Sequence, residues 1–494
     1  MMTDVQFAAW LADSAAVRTM LFEVGVNSGG VETTRYLATA GYVTGAGDVP
    51  ANVVYQPIIA GGMQVTESIS LSAEAGLSVG DIELLNLSGA RDAWLDDIWV
   101  NRPVKAWAGD LRWPRADFRL VFDGVVADIG SRSADRLNLT LCDKLQRLNT
   151  PVSDAKLGGD SLNKDAILPL VFGEAHNITP LLVDLVDQAG PRYRVHGGAV
   201  ERTIEARSNG MPISLVLDNA HGMFTLTQNP FGTITASVQG DKGDGVYRNT
   251  IASLVQRIVT GYGKASDRFT LADLDLGNLA AFDAAHRQPV GLYLADRTNV
   301  LVACQQLAGS VGAQLSMSRT GKLRLLQIDF PPAGAAIEIR PHHIVERSIA
   351  IASRTDVVSA VKLGYCKNWS VQQGLATTIP DQHKELFAQE WLTVTASDSG
   401  VEARYRLNSE PVQQDTCLLK QTHALAEAVR RLAIRKVPRT TYRFEATPRH
   451  LLLELGAPVR LFYPRFGLDD GELGVVTSLS PDWMTGRITV EVTI

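Results

Sequence analysis

Residues 415–438 read DTCLLKQTHALAEAVRRLAIRKVP, and the chain then runs through a β-rich tail to Ile494. Leu418, Leu425, Val429 and Leu432 fall on the steps of one helical face, with Leu419, Ala426 and Ala433 beside them, so the spacing predicts an amphipathic helix. Arg430, Arg431, Arg435 and Lys436 crowd its C-terminal end, where cations complement the helix dipole, and Pro438 forbids another turn. Beyond it, 441–446, 458–462, 472–479 and 487–494 read as strands split by Gly456, the 467–471 turn and Pro481. A helix-capped β-barrel or sandwich is the economical reading. A chain that ends on strand 487–494 predicts no appended domain.

Working outward, 494 residues suffice for roughly three or four domains. Apolar residues at 45% and charged residues at 20% are ordinary for globular chains, which argues against disorder and coiled coil. The net charge of −6 opposes a nucleic-acid-binding surface, since phosphate binding needs clustered cations. Cys142, Cys304, Cys366 and Cys417 lie far apart without a CxxC pair, so they read as reduced and mostly buried. The N-terminus lacks the pattern of a signal peptide, and no window approaches the ~20 apolar residues of a spanning helix.

In chain order, 7–20 suggests an opening helix, followed by short strands at 21–26, 35–42, 63–71 and 81–86. Residues 118–129 suggest a hairpin around Asp123-Gly124, and Leu137, Leu139 and Leu141 alternate with polar neighbours as in a half-buried strand. Residues 151–165 read as a linker. Strands then recur at 167–172, 192–195, 200–206, 213–217, 223–227 and 233–238. Ile251, Leu254, Val255, Ile258 and Val259 mark one helix. Val300, Leu301, Cys304, Leu307 and Val311 mark another, with Asp296 suited to its N-cap, and a hairpin across Thr320-Gly321 is expected to lie against it. Residues 357–365 open a last β segment, and 369–415 form a long excursion. The expected fold is mainly β with α+β insertions, multi-domain, divided as 1–150, 151–245, 246–330 and 331–494.

Candidate chemistry is sparse. Gly76-Leu77-Ser78-Val79-Gly80 fits the nucleophile-elbow string, but strand-like residues follow where a helix is required, so a structural β-turn is expected. His342, His343 and Glu346 lack a defined metal-ligand spacing, and Asp241, Asp244 and Gly245 lack the alternating oxygens and closing Glu of a calcium loop. Trp94, Trp99, Trp107 and Trp113 could stack on sugars, though packing or a subunit contact is the better reading. Gly321-Lys322 is no P-loop, Gly261-Tyr262-Gly263 no dinucleotide fingerprint, and Glu174 and Asp218 are isolated acids. No catalytic, cofactor-binding or metal-binding residue is assigned, and the chain is expected not to be an enzyme.

Three stretches carry a family resemblance. They are Ile167-Leu168-Pro169-Leu170-Val171-Phe172-Gly173 with Asn177-Ile178-Thr179-Pro180 and 193–210; the helix-to-hairpin 296–328 with its Gly321-Lys322-Leu323 turn; and the closing stretch, with 453–459 and 466–476. Together they resemble the tail-tip or baseplate hub proteins of long-tailed, siphophage-like bacteriophages. The resemblance implies a homotrimer whose two barrel-like domains per subunit match a six-fold tube end. It implies contacts with the distal tail protein, tail tube, tape measure and central fibre or spike, around the channel used for DNA ejection. The location implied is the virion tail tip, after synthesis in the bacterial host cytoplasm, with neither sequence-specific nucleic-acid binding nor stable membrane insertion. A virion-associated peptidoglycan or polysaccharide hydrolase and a host-receptor binding module are the alternatives.

Overall fold

The computed structural model describes residues 2–494 apart from 72–75, 187–189, 374, 376, 408 and 409. The chain forms two compact units, each woven from separate segments. One comprises Met1–Arg147, Gln314–Asp356 and Pro438–Ile494, the other Leu148–Ala313 and Val357–Val437. The fold is mainly β, built from several sheets with a minority of helices.

The first unit opens with helix Asp4–Leu11, boxed at its start by Thr3 and Gln6. The expected helix over 7–20 ends early because strand Arg18–Ser28 already claims Met20. Along that strand Met20, Phe22, Val24 and Val26 enter the main core, whereas Leu21 points to a separate cluster on the opposite face, the two-residue period of a pleated strand. The sheet runs Tyr42–Val43, Val54–Pro57, Val31–Ala38, Arg18–Ser28, Pro103–Asp110, Arg119–Ser133, Arg136–Cys142, Ile82–Leu85. Residues 58–60 close it: Ile59 N–H donates to the Ala38 carbonyl at 3.1 Å and Ala60 N–H to the Glu83 carbonyl at 2.9 Å. Closure leaves neither of these strands with an unpaired edge along that seam.

The hairpin expected at 118–129 is instead one strand, Arg119–Ser133, paired on both sides. Gly124 does not turn the chain. A Cβ there would lie 2.5 Å from both the Cys142 carbonyl oxygen and Phe122 Cζ, so glycine permits close strand approach.

The C-terminal strands form a second barrel-like sheet, in the order Ile337–Ile339, Pro458–Tyr463, Leu468–Asp482, Arg487–Thr493, Thr440–Ala446, Ala350–Arg354. One stretch borders both edges: Ile337–Ile339 pairs with Pro458–Tyr463, while Ile344 and Ala350–Arg354 pair with Thr440–Ala446. Leu468 and Gly471, expected in a turn, already belong to a strand. The two sheets share one apolar cluster, in which Phe22, Val104 and Leu139 join Phe444, Val475 and Val490.

The second unit holds a five-stranded sheet (Met211–Ile213, Val200–Ser208, Ile234–Asp241, Leu170–Ile178, Gly291–Leu294) and a four-stranded one (Leu181–Val186, Gly190–Arg194, Met223–Leu226, Leu215–Asp218). Helix Ile251–Gly261 buries the face its periodicity predicts. Asn299, not Asp296, stands at the N-cap of helix Val300–Gly309, without a side-chain capping bond, and Asp296 instead accepts from the backbone N–H of Thr298 at 3.0 Å. That helix ends in the second unit, and the chain enters the first unit after Ala313, within the first strand of the hairpin Ala313–Met317 and Leu323–Gln327. Helices Leu276–Ala285, Asp381–Ala388 and Ser399–Tyr405 had no periodic signal strong enough to announce them. Residues 374, 376, 408 and 409 of the 369–415 excursion lie outside the described residues.

Helix Gln421–Arg435 is present, but within it the buried face keeps only Leu432 of the expected leucine and valine stripe. Leu425 and Val429 are exposed, whereas Ala424, Glu427, Ala428, Leu432 and Ile434 are buried. It packs on strands Ala360–Tyr365 and Leu392–Ser397 of a three-stranded sheet in the second unit, whereas the strands that follow it belong to the first. The small alanines allow close approach to the sheet, and Glu427 is drawn inward by charge. Arg430 Nε donates to its Oε2 at 2.8 Å and Arg431 Nε to its Oε1 at 2.6 Å. The same guanidiniums donate to the Val311 and Gly309 carbonyls at 2.9 and 2.7 Å. These cations therefore serve the C-terminal end of helix Val300–Gly309, where carbonyls lack intrahelical partners.

Candidate functional site

The groups singled out for chemistry are occupied structurally. Ser78 lies in strand Gly76–Val79, opposite Thr66, so the Gly76–Gly80 string is neither an elbow nor the expected turn. Asp241 is a buried hub: Arg257 Nε donates at 2.6 Å, Gly243 N–H donates at 3.0 Å, and His196 Nε2 stands 3.6 Å away. Those donors hold its carboxyl well below the usual range despite the opposing effect of burial. Asp244 pairs with Arg248 at 2.8 Å.

His342 and His343 stack edge-on with ring centroids 4.1 Å apart, and His343 meets His450 at 4.8 Å. Glu346 is exposed beside Arg347. Among the described residues no three His, Cys, Asp or Glu side chains converge as a metal would require. All four cysteines are unpaired, but only Cys304 is fully buried; Cys142, Cys366 and Cys417 are half-buried, a correction to the sequence reading.

The four clustered tryptophans do not form one platform. Trp99 is buried against Trp94 at 5.6 Å, Trp113 packs on Trp10 at 4.5 Å, and Arg115 lies 3.9 Å above the Trp107 ring. Gly321 sits in a hairpin turn, and Tyr262 of the Gly261-Tyr262-Gly263 string packs edge-on against Phe172 at 4.9 Å. Glu174 accepts from Gln239 at 2.8 Å and lies 3.1 Å from His176 Nε2, while Asp218 binds His221 at 2.9 Å.

The hairpin made by Tyr42–Val43 and Val54–Pro57 presents apolar side chains to solvent. Its inner side is fastened to the first sheet. Tyr42 and Tyr55 pack with Leu21 and Phe118, Tyr42 Oη donates to the Trp113 carbonyl at 2.8 Å, and Tyr55 Oη donates to Glu23 at 2.8 Å. Arg115 completes this cluster, 2.7 Å from Glu23. Burial pushes the Tyr55 hydroxyl far above its usual range, so it remains a donor at any physiological pH. The two-residue period that sends both tyrosines inward sends their neighbours outward. Val43 and Val54 are a cross-strand pair, 63% and 59% exposed, and Val49 in the connecting loop is 88% exposed. The strands of this hairpin are too short for alternation to show in the sequence.

No family model matches the chain, and no curated protein matches it. Among solved structures it is similar to a chain of the virion of a native gene transfer agent particle, with TM-score 0.46 and 14% identity over 71% of this chain and 91% of that one. It is also similar to a tail protein from Neisseria meningitidis MC58, with TM-score 0.39, 9% identity and 96% of each chain covered. The 43 kDa tail protein of prophage MuSo2 from Shewanella oneidensis gives TM-score 0.36 and 10% identity, again over 96% of each chain.

Proposed function

We propose that this chain is a structural protein of a bacteriophage tail, forming a homotrimeric hub at the tail tip or baseplate. In that role it joins the tail tube and distal tail protein to a central fibre and surrounds the channel through which DNA leaves. The observation that carries an assembly role is the 42–57 hairpin. It is anchored by a buried Tyr55–Glu23–Arg115 cluster yet presents apolar side chains to solvent. A rigidly held strand pair with an outward valine pair is suited to burial against a neighbouring subunit.

The gain can be sized. With Val43 63%, Val54 59% and Val49 88% exposed, covering all three is worth roughly 3 kcal/mol per contact, at about 1.5 kcal/mol for a fully exposed valine. Solution mass measurement on the full chain, alone and with distal tail protein, is expected to give a trimer or monomers that enter one with the partner. Val43→Lys with Val54→Lys is expected to weaken that association about 100-fold. A stable dimer, or a trimer indifferent to both lysines, overturns the reading.

A further inference from the structure

We propose that a cleft in the second unit binds a neutral saccharide. This goes beyond the tail reading and does not depend on it, since the residues concerned are remote in sequence from the 42–57 hairpin. The cleft measures about 420 Å³, within the roughly 300–1,000 Å³ range of small-molecule sites. Its lining brings together Glu174, Asp296, Lys367, Trp369, Trp391 and Asp415, residues spread over about half the chain.

The side chains select the ligand by elimination. Three carboxylates face one ammonium, and Lys367 is itself paired with Glu390 at 3.3 Å. Such a lining repels phosphate, a nucleic-acid backbone and acidic glycans. Glu174 is held ionised by hydrogen bonds from His176 and Gln239, which sustains that charge. A cationic ligand is disfavoured as well, because the Lys367 ammonium already lies 4.3 Å from the Trp369 ring centroid and 5.1 Å from that of Trp391. A purely apolar ligand would strip water from three carboxylates and return no hydrogen bonds.

What remains is an uncharged molecule with hydroxyl donors around its rim and C–H faces. A pyranose has both: its hydroxyls donate to carboxylates, and its apolar face lies on the indole surface that the Lys367 ammonium leaves open. Asp415 is exposed at the mouth and accepts from Gln413 Nε2 at 2.7 Å, so its carboxylate is oriented before any ligand arrives. Trp369 is held edge-on against Tyr293 at 5.6 Å, and Tyr293 Oη donates to the Thr179 carbonyl at 2.7 Å. The stacking surface is therefore preorganised.

The test uses the purified full chain on an array of neutral and acidic bacterial oligosaccharides. Tryptophan-fluorescence titration of the strongest neutral hit follows, on the parent and on Asp415→Asn and Trp369→Phe. Neutral oligosaccharides are expected to bind, with Asp415→Asn weakening the neutral hit about ten-fold at an unchanged unfolding midpoint. Because Asp415 is exposed, that variant decides the matter even if Trp369→Phe folds poorly. Binding confined to acidic glycans or polyphosphate, absence of any neutral hit, or neutral binding equal in parent and Asp415→Asn overturns the assignment.

Discussion

Replacing Glu427 by glutamine tests the feature that sets the face of helix Gln421–Arg435. The carboxylate is 7% exposed and receives Arg430 Nε at 2.8 Å, Arg430 Nη2 at 2.9 Å and Arg431 Nε at 2.6 Å. Losing one partner of a buried ion pair costs about 3–5 kcal/mol when the stranded charge cannot reach water. Here the guanidinium side chains are 25% and 14% exposed and keep their bonds to the Val311 and Gly309 carbonyls. We therefore expect Glu427→Gln to cost about 2–3 kcal/mol, below the fully buried case. Urea unfolding followed by circular dichroism gives the total. A cycle with Arg431→Met isolates the pair, for which coupling of roughly 1–2 kcal/mol is expected. Amide exchange in helices Val300–Gly309 and Gln421–Arg435 locates the loss. A cost under about 0.5 kcal/mol, or additive single changes, would refute the claim that charge rather than the leucine stripe orients this helix.

Two further perturbations follow from single groups. His450 is 4% exposed, and burial, reinforced by His343 and Arg449, lowers its pKa to about 4. The unfolded chain takes up that proton near pH 6.5 and the folded chain does not. Its contribution is therefore intact above that pH and is lost as pH falls from 6.5 through 4, up to about 3 kcal/mol. His450→Gln should flatten that limb of the stability profile measured by urea unfolding, and an unchanged limb would count against the assignment. Gly124→Ala places a methyl 2.5 Å from the Cys142 carbonyl oxygen, so a loss of about 1–3 kcal/mol is expected in thermal unfolding, and an unchanged midpoint would count against the close approach.

The places where sequence reading and structure diverge share a cause. Asp123-Gly124 is chemically a good turn, and nothing within ten residues reveals that the strand Arg136–Cys142 will lie against it. Leu425 and Val429 satisfy a helical stripe as well as any residues in the chain, yet Ala424 and Ala428 are the ones covered. Arg430 and Arg431 were legible as cations at a helix end. That the helix end they serve is Val300–Gly309, over a hundred residues earlier, was not. Trp369, Trp391, Glu174 and Asp415 carry no motif, and only folding assembles them around one cleft.

The amino-acid sequence by itself determined the mainly β character, the strands near the C-terminus, the helices at 251–261 and 300–309, and the hairpin after Ala313. Each rests on a local period of two or 3.6 residues and on turn chemistry within a few positions. Tertiary structure alone decided which face helix Gln421–Arg435 buries, which glycines permit close approach, and which carboxylates are neutralised. Those outcomes depend on contacts between residues tens to hundreds of positions apart, whose desolvation and charge pairing no local window contains.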